Sequence, residues 1–266
     1  MDPRTFDNFR NLIYEKSGIS LNDSKKSLMC SRMGKRMRSL GIDSHRMYLK
    51  HVIQDESGQE IVYLLDAIST NVTRFFREPD HFQFLEKTMK EWFKSGQQRF
   101  RIWSAACSTG EEPYSIAMTI LESGGSKYDF KILATDISTR ALETARRGIY
   151  EVGKMEQISK KHEELYFDRI LESNSGHYMV KSALRRMIVF GRLNLSTPPF
   201  PMNGPLDVVF CRNVMIYFDN QVRHRLLKEI CQLLKSGGYL IVGHAESLIG
   251  LTEDLKSVQP SVYMKI

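Results

Sequence analysis

A few polar side chains stand where an α/β chain does its chemistry, just beyond short apolar runs. Phe100–Trp103 is one such run; the small residues Ser104 to Gly110 follow it, and then Glu111-Glu112-Pro113. Acidic residues and proline suit the first turn of a helix. Ile116, Ala117, Ile120 and Leu121 give that helix an apolar face. Strand, tight turn and helix N-terminus together make a nucleotide-sized crevice. Small residues such as Ala105 let a ligand approach the backbone. The acids would repel a phosphate. Glu112 instead favours a ligand with hydroxyls and positive charge, a description that S-adenosylmethionine meets with its ribose, ammonium and sulfonium. G-x-G-x-x-G is absent, so a ligand-free strand–turn–helix is the competing reading.

Two further runs deliver polar residues in the same way. Phe130–Thr135 ends at Asp136. An acid at the tip of the strand after the ligand turn binds ribose hydroxyls; the alternative is that Asp136 caps the helix Ser138–Arg147. Leu206–Cys211 runs into Arg212 and Asn213, with Tyr217 close behind. Polar residues at a strand's carboxyl end fall in the crevice, or are ordinary loop chemistry. Upstream lies Asn71-Val-Thr-Arg-Phe-Phe-Arg77. If extended, it points Asn71 and Thr73 to one side. It is either a linker with buried phenylalanines or one that lays an amide, a hydroxyl and a guanidinium over the crevice. His244 and Glu246 follow another strand end, where a lone histidine reads as structural. No Ser/His/Asp or Cys/His set stands out.

The elements that must position these groups fall into two parts. Residues 2–80 read as helical. Asp2 and Pro3 open the first helix and Gly18 ends it, with Phe6, Phe9 and Ile13 as its stripe. A second helix from about Asp23 to Leu40 carries Met29, Met33 and Met37 on one face, and Arg32, Lys35, Arg36 and Arg38 elsewhere. That charge run is either a solvated face or a docking surface for an acidic helix or nucleic acid. Helices near 44–54, 57–69 and 81–95 follow. After Gly148 the α/β rhythm breaks. Residues 149–193 read as an edge insertion in which His177–Val180 and Met187–Phe190 are short antiparallel strands. A helix at 220–235, a strand at 239–243 and a last strand near 258–265 complete the chain.

Composition bounds the class. The 266 residues are 42% hydrophobic and 26% charged, with a formal net charge of +7. That is globular material, and the charge suits an acidic partner. No apolar segment is long enough to span a bilayer, and no signal pattern opens the chain. The four cysteines, Cys30, Cys107, Cys211 and Cys231, are scattered without C-x-x-C. This points to a reducing, cytoplasmic setting with no disulfide framework and no metal site.

Four motifs stand together: Asn71-x-Thr-x-Phe-Phe-Arg77, Ser104–Ser115, Ala134-Thr-Asp-Ile137 and Phe210–Phe218. In order and spacing they resemble the CheR family of chemotaxis receptor methyltransferases, over nearly the whole chain. The resemblance implies a class I methyltransferase: a Rossmann-like doubly wound α/β sheet, an all-helical N-terminal domain (1–80), a catalytic domain (81–266) and an antiparallel β subdomain inserted at about 149–193. It implies S-adenosylmethionine as methyl donor, S-adenosylhomocysteine as product, and glutamates on cytoplasmic helices of membrane chemoreceptors as substrate. By motif, Asn71, Thr73, Arg77, Ala105, Glu112, Asp136, Asn194, Leu195, Arg212 and Asn213 are expected at the cofactor, and Arg77 and Tyr217 at the reacting groups. Arg32, Lys35, Arg36 and Arg38 are expected to dock acidic methylation helices. Cys107 stands where a small residue such as alanine is common, and a thiol there would expose the pocket to oxidation. Some relatives grip a receptor tail with a glycine-rich loop. The matching stretch Leu171–His177 has one glycine, so no tail tether is expected. Nucleic-acid amino-methylating enzymes resemble Asn/Asp-Pro-Pro-Tyr/Phe after the fourth strand; Arg212-Asn213-Val214-Met215 does not, so no nucleic-acid substrate is expected. A non-catalytic module that binds the cofactor remains the other reading.

Overall fold

The computed structural model describes residues 1–170 and 176–266. Helices α1 (Pro3–Ser17), α2 (Lys26–Ser39), α3 (His45–Gln54) and α4 (Gln59–Ile68) come first. Asp2 caps α1 by accepting the Thr5 N–H at 2.9 Å, and Gly18, at φ 70°, ends it in a left-handed turn. Phe6, Phe9 and Ile13 of α1 meet Met29, Met33 and Met37 of α2, Tyr48 and Leu49 of α3, and Leu64 and Leu65 of α4 in one core. The methionine stripe is therefore packing, as its spacing of four predicts.

Helix α5 (Asp80–Lys94) leads into β1 (Arg99–Ala105), α6 (Glu111–Glu122), β2 (Asp129–Asp136) and α7 (Thr139–Arg147). Then come β3 (Ile149–Glu151), α8 (Lys160–Tyr166), β4 (Phe167–Ile170), β5 (His177–Val180), α9 (Ser182–Arg185) and β6 (Ile188–Arg192). The chain closes with β7 (Leu206–Cys211), α10 (Asn220–Leu233), β8 (Leu234–Val242), β9 (Leu255–Gln259) and β10 (Val262–Lys265). Seven strands form one sheet in the order β6-β2-β1-β7-β8-β10-β9. The first five run parallel, and β10 is antiparallel to both its neighbours. The chain winds outward from β1 and then returns to its other side, so the order reverses between β1 and β7. A ligand crevice belongs at the carboxyl ends of those strands. Ala105 lies opposite Cys211 there, so the segments leaving both strands are neighbours.

Alternation along β1 feeds two cores. Phe100 and Ile102 pack with Phe82 and Leu85 of α5 and Ile116 and Ile120 of α6. Trp103 and Ala105 pack on the other face with Leu226, Leu227 and Ile230 of α10. No helix among the described residues is long and apolar enough to cross a membrane.

Two strand readings are corrected. Met187–Phe190 is not part of an antiparallel insertion. Ile188–Arg192 is the parallel edge of the large sheet, with Ile188 opposite Ile132 and Arg192 opposite Asp136. The small sheet is β3-β5-β4, all antiparallel. Alternation in a strand this short reports which face is buried, not the direction of its partner. The last strand near 258–265 is a hairpin of two strands that turns at Ser261, φ 62°. The glycine-poor stretch Leu171–His177 lies outside the described residues as far as Ser175.

Candidate active site

At the switch point a cavity of about 410 Å³ is lined by the linker from Thr70 to Arg74 and Arg77, by Ala106, Ser108, Glu112 and Asp136, by Leu193–Leu195, and by Arg212–Val214 and Tyr217. Ser17, Ile19, Lys25, Met29 and Arg32 are among the residues that close it from the helical part. The volume is that of a small-molecule site.

Asp136 sits at the tip of β2, as read. Its Oδ2 accepts the Ser108 N–H at 2.8 Å and its Oδ1 the Ser138 N–H at 2.9 Å. The helix cap is Ser138, whose Oγ accepts the Ala141 N–H at 3.1 Å, so the capping alternative for Asp136 falls. Burial pushes its carboxyl above the ordinary range, against the pull of those backbone donors. Each oxygen keeps a free lone pair for a ligand hydroxyl.

Glu112 lies in the first turn of α6 because the chain enters that helix through Gly110, at φ 96°. Its Oε1 accepts the Ser104 hydroxyl at 2.7 Å and its Oε2 the Arg212 Nη1 at 3.0 Å. Arg212 is 2% exposed; its Nη2 also donates to Glu78 Oε2 at 3.0 Å and to the Arg77 carbonyl. One guanidinium thus serves two carboxylates. Burial raises the Glu112 carboxyl despite Arg212. Burial also pushes on Glu78, but Arg212's bonds and charge outweigh it and hold that carboxyl low. Arg77 Nε also lies 3.9 Å from Glu78 Oε1, so two guanidiniums face the two carboxylates.

Glu78 is a residue that sequence reasoning missed. It stands at φ 57° just before α5, and its Oε1 accepts Asn213 Nδ2 at 3.3 Å. Besides its sequence neighbours Arg77 and His81, its partners are well over a hundred positions away, and no local pattern marks it. Glu246 was read without a role. It accepts the Asn213 and Gly243 N–H groups, both at 2.7 Å, and so shapes the turn after β7. The approach is tight: a Cβ on Gly243 would lie 2.3 Å from Asn213 Nδ2. Against the expectation of no metal site, Glu78, His81 and His244 bring ligand-type atoms within 4.8 Å of one another. Arg212 and Asn213 already hold the Glu78 oxygens, and a guanidinium at 3.0 Å opposes a divalent cation there.

The structure brings most of the expected residues together. Asn71, Thr73, Arg77, Asn194, Leu195, Arg212, Asn213 and Tyr217 all line the cavity with Glu112 and Asp136. Arg77 is 35% exposed, and its Nη1 donates to the Val72 carbonyl at 3.1 Å. Asn194 spends its amide on structure: Nδ2 donates to the Lys16 carbonyl at 2.8 Å, and Oδ1 accepts Ser196 Oγ at 2.9 Å. Ala105 is a correction. It is fully buried beside Trp103, Val209 and Cys211, and its neighbour Ala106, at φ 67°, lines the cavity instead. Strand alternation turns Ala105 into the core. Cys107 is 1% exposed, and burial raises its thiol well above the ordinary value. Burial of that kind lowers a thiol's reactivity.

The basic residues of α2 differ in what they touch. Arg36 donates to Glu60 Oε1 at 3.0 Å, stacks 3.9 Å over the Tyr63 ring, and shares Glu60 with the Tyr48 hydroxyl at 2.9 Å. Arg32 Nη1 holds the Ile68 and Ser69 carbonyls at 2.6 and 3.2 Å. These bonds form because a buried acid and open helix-end carbonyls need donors, and Arg32 also lines the cavity. Lys35 and Arg38 are exposed.

Comparison with known proteins points to one family. The family model "CheR methyltransferase, SAM binding domain" matches residues 71–264, and "CheR methyltransferase, all-alpha domain" matches residues 4–69. Chemotaxis protein methyltransferase 2 of Pseudomonas aeruginosa is 38% identical over 97% of this chain and 91% of its own. The chemotaxis protein methyltransferase of Salmonella typhimurium is 37% identical over 95% and 86%. That of Escherichia coli is 38% identical over 89% and 82%.

Proposed function

The chain belongs to the CheR methyltransferase family and carries its S-adenosylmethionine-binding domain, and from that premise we propose that it esterifies glutamate side chains of chemotaxis receptors. The products are glutamyl methyl esters and S-adenosylhomocysteine. The observation that carries the reading is one cavity that joins a ribose-type acid, Asp136, to a half-exposed guanidinium, Arg77.

When bound, S-adenosylmethionine supplies an electrophilic methyl group on a positively charged sulfur. Asp136 accepts ribose hydroxyls, and the Glu112 carboxylate, which lines the cavity, faces the ligand's cationic part. The substrate glutamate, with a reference pKa of about 4.3, is ionised at neutral pH and needs no general base. Arg77 holds that carboxylate through the planar fork of its guanidinium, and Tyr217 donates to its second oxygen. The grip is partial, since full neutralisation would blunt the nucleophile. Catalysis then rests on alignment of oxygen, carbon and sulfur, which can supply roughly 7–11 kcal/mol.

The substrate helix docks on the exposed basic face that carries Lys35 and Arg38, without a receptor-tail tether. Radiolabelled methyl transfer to receptor-containing membranes tests the reading. The expected label is alkali-labile and survives deletion of the receptor tail. An alkali-stable label would refute esterification. Binding of S-adenosylhomocysteine with no transfer would mean a non-catalytic module.

A further inference from the structure

We propose that Lys154 is a positioning residue for methyl transfer: from the small sheet it holds the 71–77 linker in the form that lines the cavity. The inference rests on the cavity being the S-adenosylmethionine site.

Lys154 belongs to a single 3₁₀ turn directly after β3. Its ammonium lies 2.9 Å from Glu111 Oε1 and 3.2 Å from the Thr73 carbonyl. Glu111 is fully buried, and its other oxygen accepts the Thr109 hydroxyl at 2.6 Å. The adjacent carbonyl, that of Val72, is held by Arg77 at 3.1 Å. Two consecutive linker carbonyls are thus gripped by two cations, one beside the small sheet and one that faces the substrate.

Neighbouring contacts run the same way. The Phe75 ring packs edge-on against Tyr150 at 4.9 Å and Phe167 at 5.6 Å. Phe76 stacks on His162 at 5.3 Å. Tyr150, Lys154, His162 and Phe167 all lie in the segment from β3 to β4. The linker that carries Thr73 and Arg77 is therefore built onto the small sheet as much as onto the large one. Displacement of Lys154 frees the Thr73 peptide and loosens the brace on which Arg77 rests.

Lys154 has a plainer use, as the counter-charge of a buried acid. The test separates the two. Glu111→Gln alone removes the acid and keeps the grip on Thr73. Lys154→Met with Glu111→Gln removes both without leaving an unpaired charge. Calorimetry with S-adenosylhomocysteine and receptor methylation rates are compared between these two folded variants and the wild type. The expected result is near-wild-type affinity for Glu111→Gln. The double variant should bind about tenfold more weakly, the scale of one charge-assisted hydrogen bond, and its turnover number should fall at saturating cofactor. Equal affinity and turnover in the two variants would overturn the proposal and leave Lys154 as a counter-ion. Absence of S-adenosylhomocysteine binding by the wild type would instead refute the reading of the cavity itself.

Discussion

The chemistry at this site is divided between groups whose surroundings differ sharply. Asp136 is buried and bonded to two backbone N–H groups, while Arg77 is open on one side. Asp136→Ala should weaken S-adenosylhomocysteine binding by about 1–3 kcal/mol, measurable by calorimetry. Unchanged affinity in a folded variant would remove Asp136 from the site. Burial raises its carboxyl pKa, and ribose hydroxyls bind the ionised form better. Affinity should thus be complete above that raised value and fall as pH drops through it, starting at higher pH than a free aspartate would. Titrations across the acid range in wild type and Asp136→Ala check this, since the variant should lose the dependence. Arg77 should matter more for turnover than for cofactor affinity. Arg77→Ala should lower the methylation rate steeply, and Arg77→Lys should not restore it, because lysine lacks the fork. A lysine variant with near-normal rate would mean that charge alone is used.

At the scale of elements, Arg212 fastens the end of β7 to the start of α6 and to the linker before α5. Non-glycine residues at positive φ gather at the same seam: Phe76, Glu78, Ala106, Ser108 and Asn213. Backbone held in sparsely populated conformations persists where its surroundings over-determine it, as functional sites do. Arg212→Met should lower stability, because it removes the guanidinium that Glu112 and Glu78 share and leaves them only the weaker bonds from Ser104 and Asn213 and the distant charge of Arg77. Denaturant melts would show this as a lower midpoint. Because Glu78 is held below its ordinary pKa, its share of stability is present above that ordinary value and lost as pH falls through the lowered one. The Met variant should lose that part of the acid dependence.

Across the whole molecule, the helical part lines the cavity with Lys25 and Arg32, and Lys35 and Arg38 lie exposed further along α2; charge of this kind speeds encounter with an acidic helix. Reversal of Lys35 and Arg38 to glutamate should lower receptor methylation while S-adenosylhomocysteine affinity stays unchanged. Wild-type activity should fall with salt as the contact is screened over about 10 Å at 0.1 M. Normal methylation by the reversed protein would move docking elsewhere. Arg36→Glu is not an equivalent test. It sets a second acid against buried Glu60 and should lower the melting temperature instead.

What the sequence determined by itself was whatever rests on local order. Helix ends at Asp2, Gly18 and Ser138, the methionine stripe, the buried strands and the acid at the tip of β2 all follow from capping, periodicity and strand-end position. So did the gathering of Glu112, Asp136, Arg212 and Asn213, because they follow the carboxyl ends of β1, β2 and β7, whereas the linker residues Asn71 and Thr73 were expected there only from the family resemblance. The tertiary structure decided what depends on partners distant in the chain. Glu78 acquires a role only when β7 brings Arg212 to it, 134 positions away. Arg36 pairs with an acid only because α4 presents Glu60, 24 positions on. Ile188–Arg192 takes its direction from β2, and Lys154 finds Thr73 across 81 positions. Charge and alternation are written residue by residue, whereas the partner that spends a charge or pairs a strand is set by how the whole chain packs.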